Sequence, residues 1–401
     1  MTHPNRVRMS KLTLGLLAVL AAAPVFAQST SAGVGGRVVG ADGQPVAGAE
    51  VTIVHTESGT VSRAVTGPDG RYNARGLRVG GPYTITINKA GAGTNSQDGV
   101  YLNLDKVNQV DVALNNDVTT LESVKAVAYG GSEIFSADKM GAGTTITREQ
   151  LQNFGSIKRD LQDYARLDPR VAQTDKTRGE LSVLGQNSRY NSITIDGVST
   201  SDTFGLEGNG LPTEKQPISI DAIDEVQVNV TNYDVAQPRY SGANINAVTK
   251  SGTNDFHGSL SYIYRDNDMV GDLDGRPFNS WKDEQTYGTT FGGPLLKDKL
   301  FFFLSYEKFT RTGPGASNGP AGSGTAFDAS GISQAEVDQI IGIAQSRYGV
   351  DAGSLVPPGD AKNETEDKLV KFDWNINDDH RLSVRFNETE QSVAIFPNSN
   401  S

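Results

Sequence analysis

Beyond about residue 255 the chain alternates between apolar and polar side chains, and this pattern limits its possible folds more than any other feature. In the segment that begins at Leu300, aliphatic and aromatic residues occupy every second position as far as Tyr306, while Ser305 and Glu307 lie on the opposite face. Further segments with the same period begin near Leu260, Tyr287, Val370 and Leu382. Segments of about ten residues with one aromatic-edged apolar face and one polar face are typical of transmembrane β-barrels. The alternative is a soluble β-sandwich, whose strands also alternate.

The connections between these segments favour the barrel. Residues 294–299 and 377–380 form short turn sequences, whereas residues 266–284 and 311–367 are long excursions. Outer-membrane barrels have short turns on one side and long loops on the other, while loops longer than about 15 residues are uncommon in compact soluble domains. Within the second excursion, Ser333 begins a capping-box sequence that predicts a helix.

The N-terminus has the features of a cleaved signal peptide. Basic residues precede an apolar run at 12–20, and small residues permit cleavage after Ala27. A membrane-spanning helix needs about 20 apolar residues, and this run is shorter. Removing residues 1–27 takes three basic residues from 36 and leaves all 47 acidic ones, so the formal net charge becomes −14. A chain this acidic is not expected to bind nucleic acid.

Composition also argues against catalysis. The chain has no Cys, which excludes thiol chemistry, disulfides and cysteinyl metal sites. None of its four His residues has the spacing of a helical zinc pair. Asp221, Asp224 and Glu225 lie close together in sequence, but acids beside a strand usually face solvent or pair with Arg. No set of nucleophile, base and metal ligands assembles, so we expect no catalytic residues, no metal site, no cofactor and no enzyme activity.

The chain ahead of residue 254 divides into two regions. From 28 to 117, short alternating segments separated by Asp-Gly turns at 42–43 and 69–70 predict a small β-sandwich. From 140 to 253, helical signals lie beside strand-like segments and predict a compact α+β unit. There, Thr147 and Gln150 form a capping box.

A second short helix is predicted after residue 155. Ser156 is expected to cap it, with Ile157, Leu161 and Tyr164 on one face and Asp168-Pro169 at its end.

Residues 36–51, 66–72 and 81–83 resemble the carboxypeptidase regulatory-like domain, which in that family is a structural addition without catalytic residues. Two later stretches, 216–230 and 240–258, are similar to the end of the plug domain and the first barrel strand of TonB-dependent outer-membrane receptors. Their resemblance is greatest to the Oar-like branch of that family. Residues 195–198 and 291–303 resemble the same branch.

This resemblance implies a mainly β fold with a fixed order of parts. We expect a signal peptide at 1–27, a regulatory-like β-sandwich at 28–117, a linker at 118–139, an α+β plug domain at 140–253, and the first strands of an incomplete transmembrane antiparallel β-barrel at 254–401. The smallest membrane barrels have about 8 strands, and this region supplies only five. We therefore expect an N-terminal fragment of a longer receptor.

The resemblance also implies a location and partners. The location is the outer membrane of a Gram-negative cell, and the function is energy-coupled passage of an unidentified ligand. The partners are outer-membrane lipid and the C-terminal domain of TonB, which pairs with a short extended segment by β-strand addition. The linker supplies such a segment, called the TonB box in this family, and its candidate residues are Glu122, Ser123, Val124, Lys125, Ala126, Val127 and Ala128. The alternatives for this segment are a last sandwich strand or a plain linker.

The polar, Gly-rich loop at 196–210 is the candidate for ligand contact. Asp202, Phe204 and Glu207 are expected to face a polar or cationic ligand, the alternative being a solvated loop without affinity. Two other functions compete with transport. One is a surface structural or adhesion protein that binds through the sandwich and the long loops, and the other is a soluble extracellular carbohydrate-binding or enzyme module.

Overall fold

The computed structural model describes residues 30–104, 106–114, 141–176, 178–204, 207–232, 242–272, 275–315, 318–323, 327–353, 360–378 and 380–394. Strands predominate in these residues, and the longest of the three α-helices among them has 15 residues. None of the described helices is long and apolar enough to span a membrane.

Residues 30–114 form the first unit, the sandwich, in which two four-stranded sheets share one core. Its strands are β1 (Ala32–Val39), β2 (Glu50–His55), β3 (Thr60–Val65), β4 (Arg71–Leu77), β5 (Gly80–Lys89), β6 (Gly93–Leu102), β7 (Val107–Gln109) and β8 (Val112–Ala113). One sheet has the order β4-β1-β7, with β8 also paired to β1, and the other has the order β3-β2-β5-β6. The predicted turns are present, and Gly43 and Gly70 adopt the positive φ angles they require.

Residues 141–250 form the second unit, the central unit, which is built around one mixed sheet. Its elements are β9 (Gly141–Ile146), α1 (Arg148–Asn153), α2 (Leu161–Ala165), β10 (Val171–Asp175), β11 (Glu180–Val183), β12 (Ser192–Ile195), β13 (Val198–Ser199), β14 (Ile223–Asn232) and β15 (Asn244–Thr249). The sheet order is β13-β12-β15-β14-β9, and β10 and β11 form a separate hairpin. β14 and β15 therefore lie inside the sheet and β9 at its edge.

The two short helices of the central unit differ in how well the sequence predicts them. α1 begins at the expected capping box, in which Thr147 and Gln150 exchange side-chain and backbone hydrogen bonds. The prediction that Ser156 caps α2 was wrong, because α2 begins at Leu161. The Ser156 hydroxyl instead accepts from the Arg159 amide at 2.7 Å and donates to Asp163 at 2.6 Å. Ile157 is exposed rather than part of a buried face.

The third unit is an antiparallel sheet with two excursions. Its elements are β16 (His257–Asp266), β17 (Asp283–Leu296), β18 (Leu300–Pro314), β19 (Asn318–Ala321), β20 (Phe327–Ser333), α3 (Gln334–Tyr348), β21 (Asp360–Asn375) and β22 (Arg381–Ser392). Five strands pair in the order β16-β17-β18-β21-β22 and are called the strand wall. The predicted helix α3 lies in the second excursion and begins at the Ser333 capping box. The pair β19 and β20 beside it was not predicted.

The strand wall has the two faces that the sequence predicts. Its aromatic and aliphatic face is bare; Leu260 is 89% exposed and Phe386 is 59% exposed. The opposite face lies against the central unit, and Glu307 there is only 7% exposed. Phe303 and Leu369 of the wall complete the core of the central unit. A soluble sandwich would bury its apolar face against a second sheet, so this arrangement contradicts that alternative and confirms the barrel-type strands.

The wall also has two different ends. The turns between β17 and β18 and between β21 and β22 lie at one end, which is called the short-turn end. Both long excursions leave the opposite end. The sandwich contacts the short-turn end, where Arg63 forms an ion pair with Asp378 and Asn375 donates to Thr60 at 2.8 Å.

Candidate functional site

The central unit meets the wall through a buried group of charged side chains near the long-excursion end. Lys215 of the central unit is 7% exposed, and its Nζ lies 2.7 Å from Asp160 Oδ1. The same ammonium lies 5.6 Å from the centre of the Phe309 ring on the wall. Burial alone would lower the pKa of Lys215, but the carboxylates of Asp160 and Glu307 outweigh it and raise that pKa above its usual value. Lys215 is therefore a permanent cation that bridges both units.

The wall side of this group is equally well paired. Glu284 is buried between two guanidinium groups; Arg311 Nε lies 2.6 Å from its Oε1, and Arg265 pairs with its other oxygen. Arg311 also forms an ion pair with Glu214 of the central unit. Glu214 in turn accepts a hydrogen bond from Asn363 Nδ2 at 3.0 Å.

Together these residues form a group that we call the ionic cluster. Its members are Lys158, Asp160, Glu214, Lys215, Arg265, Glu284, Glu307 and Arg311. Four cations oppose four carboxylates among these eight residues. Removing one member of a buried pair leaves the other without compensation, which typically costs about 3–5 kcal/mol. The arrangement therefore suits holding two units together better than acid–base chemistry.

A second set of contacts joins the central unit to the wall nearer the short-turn end. Asp196 follows β12 with a φ of 46°, and its carboxylate accepts from the Thr249 amide at 2.8 Å and from the Thr249 hydroxyl at 2.6 Å. Arg385 of β22 donates to Asp196 Oδ2 at 2.9 Å. Lys371 of β21 donates to the Thr249 carbonyl at 3.1 Å. One carboxylate thus fixes two central strands and a wall strand.

The structure assigns different tasks to the residues of the predicted ligand loop. Asp202 Oδ1 accepts from the Phe204 amide and Oδ2 from the Glu207 amide, each at 3.0 Å, so this carboxylate shapes the loop. The Phe204 side chain is 83% exposed, and Glu207 is also exposed. Asn209, which accepts a hydrogen bond from Gln162 through its backbone carbonyl, lines the same crevice as members of the ionic cluster. The end of the loop at Asn209 therefore lies beside that cluster, and contact with a ligand stays a prediction.

The other candidate segments have different outcomes. Residues 122–128, the candidate TonB box, and residues 1–27, the predicted signal peptide, lie outside the described residues. The acids at 221–225 do not form an open carboxylate site. Asp221 pairs with Arg159 and Asp224 with Arg148, as the sequence led us to expect. In the described part of the chain, no three His, Asp or Glu side chains are grouped as a metal site.

Sequence reasoning missed the ionic cluster. Two of its central-unit members, Asp160 and Lys215, are 55 residues apart in sequence, and neither lies in a recognisable motif. The only available signal was on the wall, where Glu284 and Glu307 lie opposite the aromatic face. An acid buried there needs a cation from whatever fills the space inside the wall.

Two protein-family models match parts of the chain. The carboxypeptidase regulatory-like domain matches residues 33–115, which form most of the sandwich. An outer membrane beta barrel domain matches residues 248–347, which include the first three wall strands.

Known proteins of similar sequence or structure include receptors and transporters. The TonB-dependent transporter Oar of Myxococcus xanthus is 27% identical over 418 residues, which cover 98% of this chain and 36% of that protein. The siderophore receptor PirA of Pseudomonas aeruginosa superposes with a TM-score of 0.39 at 13% identity, covering 63% of this chain and 36% of the receptor. The outer membrane transporter YddB of Escherichia coli superposes with a TM-score of 0.40 at 16% identity, covering 62% of this chain and 33% of the transporter.

The chain thus spans about a third of the length of the curated relative that it matches. The match to Oar runs through all three units, and the barrel-domain match begins where the central unit passes into the wall. Both matches place the chain in the outer membrane of a Gram-negative cell. The chain is therefore similar to the TonB-dependent transporter Oar along nearly its whole length, and it matches a carboxypeptidase regulatory-like domain ahead of strands that match an outer membrane beta barrel domain.

Proposed function

We propose that this chain works in a TonB-dependent outer-membrane receptor, where the central unit is the plug and the wall is part of the barrel around it. The whole protein would move a ligand across the outer membrane with energy from TonB, and it would not be an enzyme. One observation supports this most strongly: the wall presents a bare aromatic face outward and a buried polar face to the central unit. Only hydrocarbon is a favourable solvent for the first face.

The chemistry of the contact between the two units supports a plug that can loosen. Arg311 with Glu214, Arg385 with Asp196, and the ammonium of Lys371 on Thr249 are ionic or hydrogen-bonded contacts. Water can satisfy such groups when they separate, whereas a continuous apolar contact would expose hydrocarbon. Movement of the plug therefore exchanges partners at these polar groups and exposes apolar surface where Phe303 and Leu369 complete its core.

We propose that residues 122–128 are the TonB box and that they pair with an edge strand of TonB through backbone hydrogen bonds. The test is calorimetric binding of a TonB C-terminal domain from the same organism to a peptide of residues 119–129. The double variant Val124→Pro/Lys125→Pro removes two neighbouring backbone donors, one on each side of the strand, and should abolish binding.

The matched control is Val124→Ala/Lys125→Ala, which keeps both backbone donors and should retain most of the affinity. Equal loss in both double variants would mean that side chains rather than strand pairing are recognised. If neither the peptide nor the full chain binds TonB, energy coupling is refuted and the surface adhesion function becomes the better explanation.

We further propose that the ligand meets the loop beside the ionic cluster, with Phe204 and Glu207 as contact residues and Asp202 as the residue that shapes the loop. The exposed ring of Phe204 and the two backbone hydrogen bonds accepted by Asp202 support this division. Hydrogen exchange tests whether Asp202 shapes the loop and Phe204 does not. Asp202→Ala should speed exchange of the amides of 204 and 207, whereas Phe204→Ala should leave them unchanged.

A further inference from the structure

We infer that the sandwich is a removable cap on the central unit, docked at the short-turn end and released before the central unit can rearrange. This goes beyond the proposed function, since it depends on contacts among the three units and not on TonB or a ligand.

The sandwich is tied to the wall by groups close to the short turns. Arg381, the first residue of β22, donates to the carbonyl oxygens of Gly76 and Val61, each at 3.2 Å. Asn375, the last residue of β21, donates to the Thr60 hydroxyl at 2.8 Å. These two wall residues border the same turn, so the turn between β21 and β22 is one anchor of the cap.

The sandwich is also tied to the inner strands of the central unit. The Leu104 amide donates to Glu225 Oε1 at 2.6 Å, and this carboxylate belongs to β14. Val248 of β15 is buried in the sandwich core rather than in that of its own unit. Lifting the sandwich therefore strips Glu225 of the Leu104 donor and exposes Val248, and both changes fall on strands at the middle of the sheet.

Arg78 joins the sandwich to the wall and to the segment between the central unit and the wall. Its guanidinium donates to the Gly252 carbonyl at 2.9 Å, where the central unit leads into β16, and lies 5.0 Å from the ring of Phe301 on β18. A guanidinium over an aromatic ring is attracted to the ring, and more strongly where water is excluded. Arg78 and Arg381 are thus the two side chains whose loss should weaken docking most.

A cavity of about 630 Å³ shows what the cap closes. The sandwich lines it with His55 and Arg78, the central unit with Arg148 and Asp224, and the wall with Asp373. Any group that leaves the central unit toward the short-turn end enters this space and meets the sandwich. Apart from buried Val248, the contacts described around it are mostly hydrogen bonds and ion pairs, as in reversible domain interfaces.

Disulfide trapping tests the docking directly, because the natural chain has no Cys. A Cβ built on Gly59 of the sandwich would lie 3.3 Å from Asp298 Cβ in the turn between β17 and β18. This is close to the spacing of about 3.5–4.5 Å in disulfides. Gly59→Cys/Asp298→Cys in the full chain, in outer-membrane vesicles, should therefore cross-link on mild oxidation.

The matched control pairs Asp298→Cys with Gly43→Cys. Gly43 has a positive φ like Gly59, but no atom of another residue lies near its Cβ position. This pair should remain uncross-linked. Equal cross-linking in the two pairs, or none in either, would overturn the docking.

Hydrogen exchange of residues 223–232 tests the capping. Arg78→Ala/Arg381→Ala should lower the cross-linking of the first Cys pair several-fold and speed exchange in this strand by about tenfold. The disulfide-locked chain should show slower exchange. Arg37→Ala/Arg71→Ala removes two arginines elsewhere on the sandwich and should change neither. Unchanged exchange in the undocked variant, with cross-linking lost, would show that the sandwich docks without restraining the central unit.

Discussion

At the scale of single residues, Asp196 connects the central unit to the wall through its hydrogen bonds with Thr249 and Arg385. Asp196→Ala removes the acceptor of the Thr249 amide and leaves Arg385 with only the Ile195 carbonyl. We expect a loss of about 2–4 kcal/mol in the free energy of unfolding of the central unit, because a half-buried guanidinium loses its counterion. Asp196→Asn keeps one acceptor and tolerates the positive φ, so it should cost less. Urea titrations compare the two, and equal losses would contradict this assignment.

His55 gives a pH dependence at the same scale. Burial, followed by the charges of Arg78, Arg148 and Arg381, lowers its pKa from 6.5 to about 3. A lowered pKa means that the unfolded chain binds the proton first. Stability is therefore unaffected above about pH 6.5 and falls as the pH drops toward 3, by up to about 1.4 kcal/mol per unit. The difference in stability between pH 7.5 and 5 should shrink in His55→Gln, and an unchanged difference would refute it.

At the scale of elements, each wall strand has one apolar and one polar face. The cost of a substitution should therefore depend on the face that carries it and on its depth in the membrane. On the bare face of β18 the side chains from Leu300 to Tyr306 are apolar, and Leu304 lies within that apolar stretch. Leu304→Arg should cost about 2–4 kcal/mol of membrane insertion, whereas Thr310→Arg, on the same face but beyond the charged Lys308, should cost about 0–1. The fraction of chain that resists carbonate extraction from outer membranes measures both. Equal extraction of the two variants would argue against a lipid-facing surface.

Elements with a local signal could be predicted from the sequence, and those decided by distant partners could not. The alternation of β18 and the capping boxes of α1 and α3 depend on neighbouring residues and were confirmed. Ser156 failed as a cap because its hydroxyl is shared between Arg159 and Asp163, a choice that no spacing reveals. The ionic cluster was missed for the same reason, since Lys215 finds Asp160 only after folding.

At the scale of the whole molecule, the sandwich, the central unit and the wall follow one another along the chain and pack together in the fold. The sandwich lies at the short-turn end, the central unit lies against the polar face of the wall, and Asn209 of the predicted ligand loop lies beside the ionic cluster near the other end. The order of units follows from the sequence, but the docking of the sandwich does not. It depends on single groups such as Arg381 that meet partners about 300 residues away.

The link between central unit and wall gives the last prediction. A double-mutant cycle with Arg311→Met and Glu214→Gln should show a coupling of about 1–3 kcal/mol, because either single change already breaks the ion pair between the two units and the second change has no pair left to break. Trp281 reports on the cluster, since its buried ring lies 4.8 Å from the Arg265 guanidinium. Trp374→Phe removes the only other Trp, so emission during a urea titration comes from Trp281 and follows changes at the wall side of the cluster.

The matched control is the pair of Lys368 and Glu388, which lies on the wall at 3.1 Å but is about 40% exposed on each side. Pairs this exposed couple by about 0.2–1 kcal/mol. Lys368→Met and Glu388→Gln should therefore be nearly additive, and their coupling should fall further in high salt. Additive effects at Arg311 and Glu214 would mean that water already separates the cluster, and that the central unit is held by Phe303 and Leu369 instead.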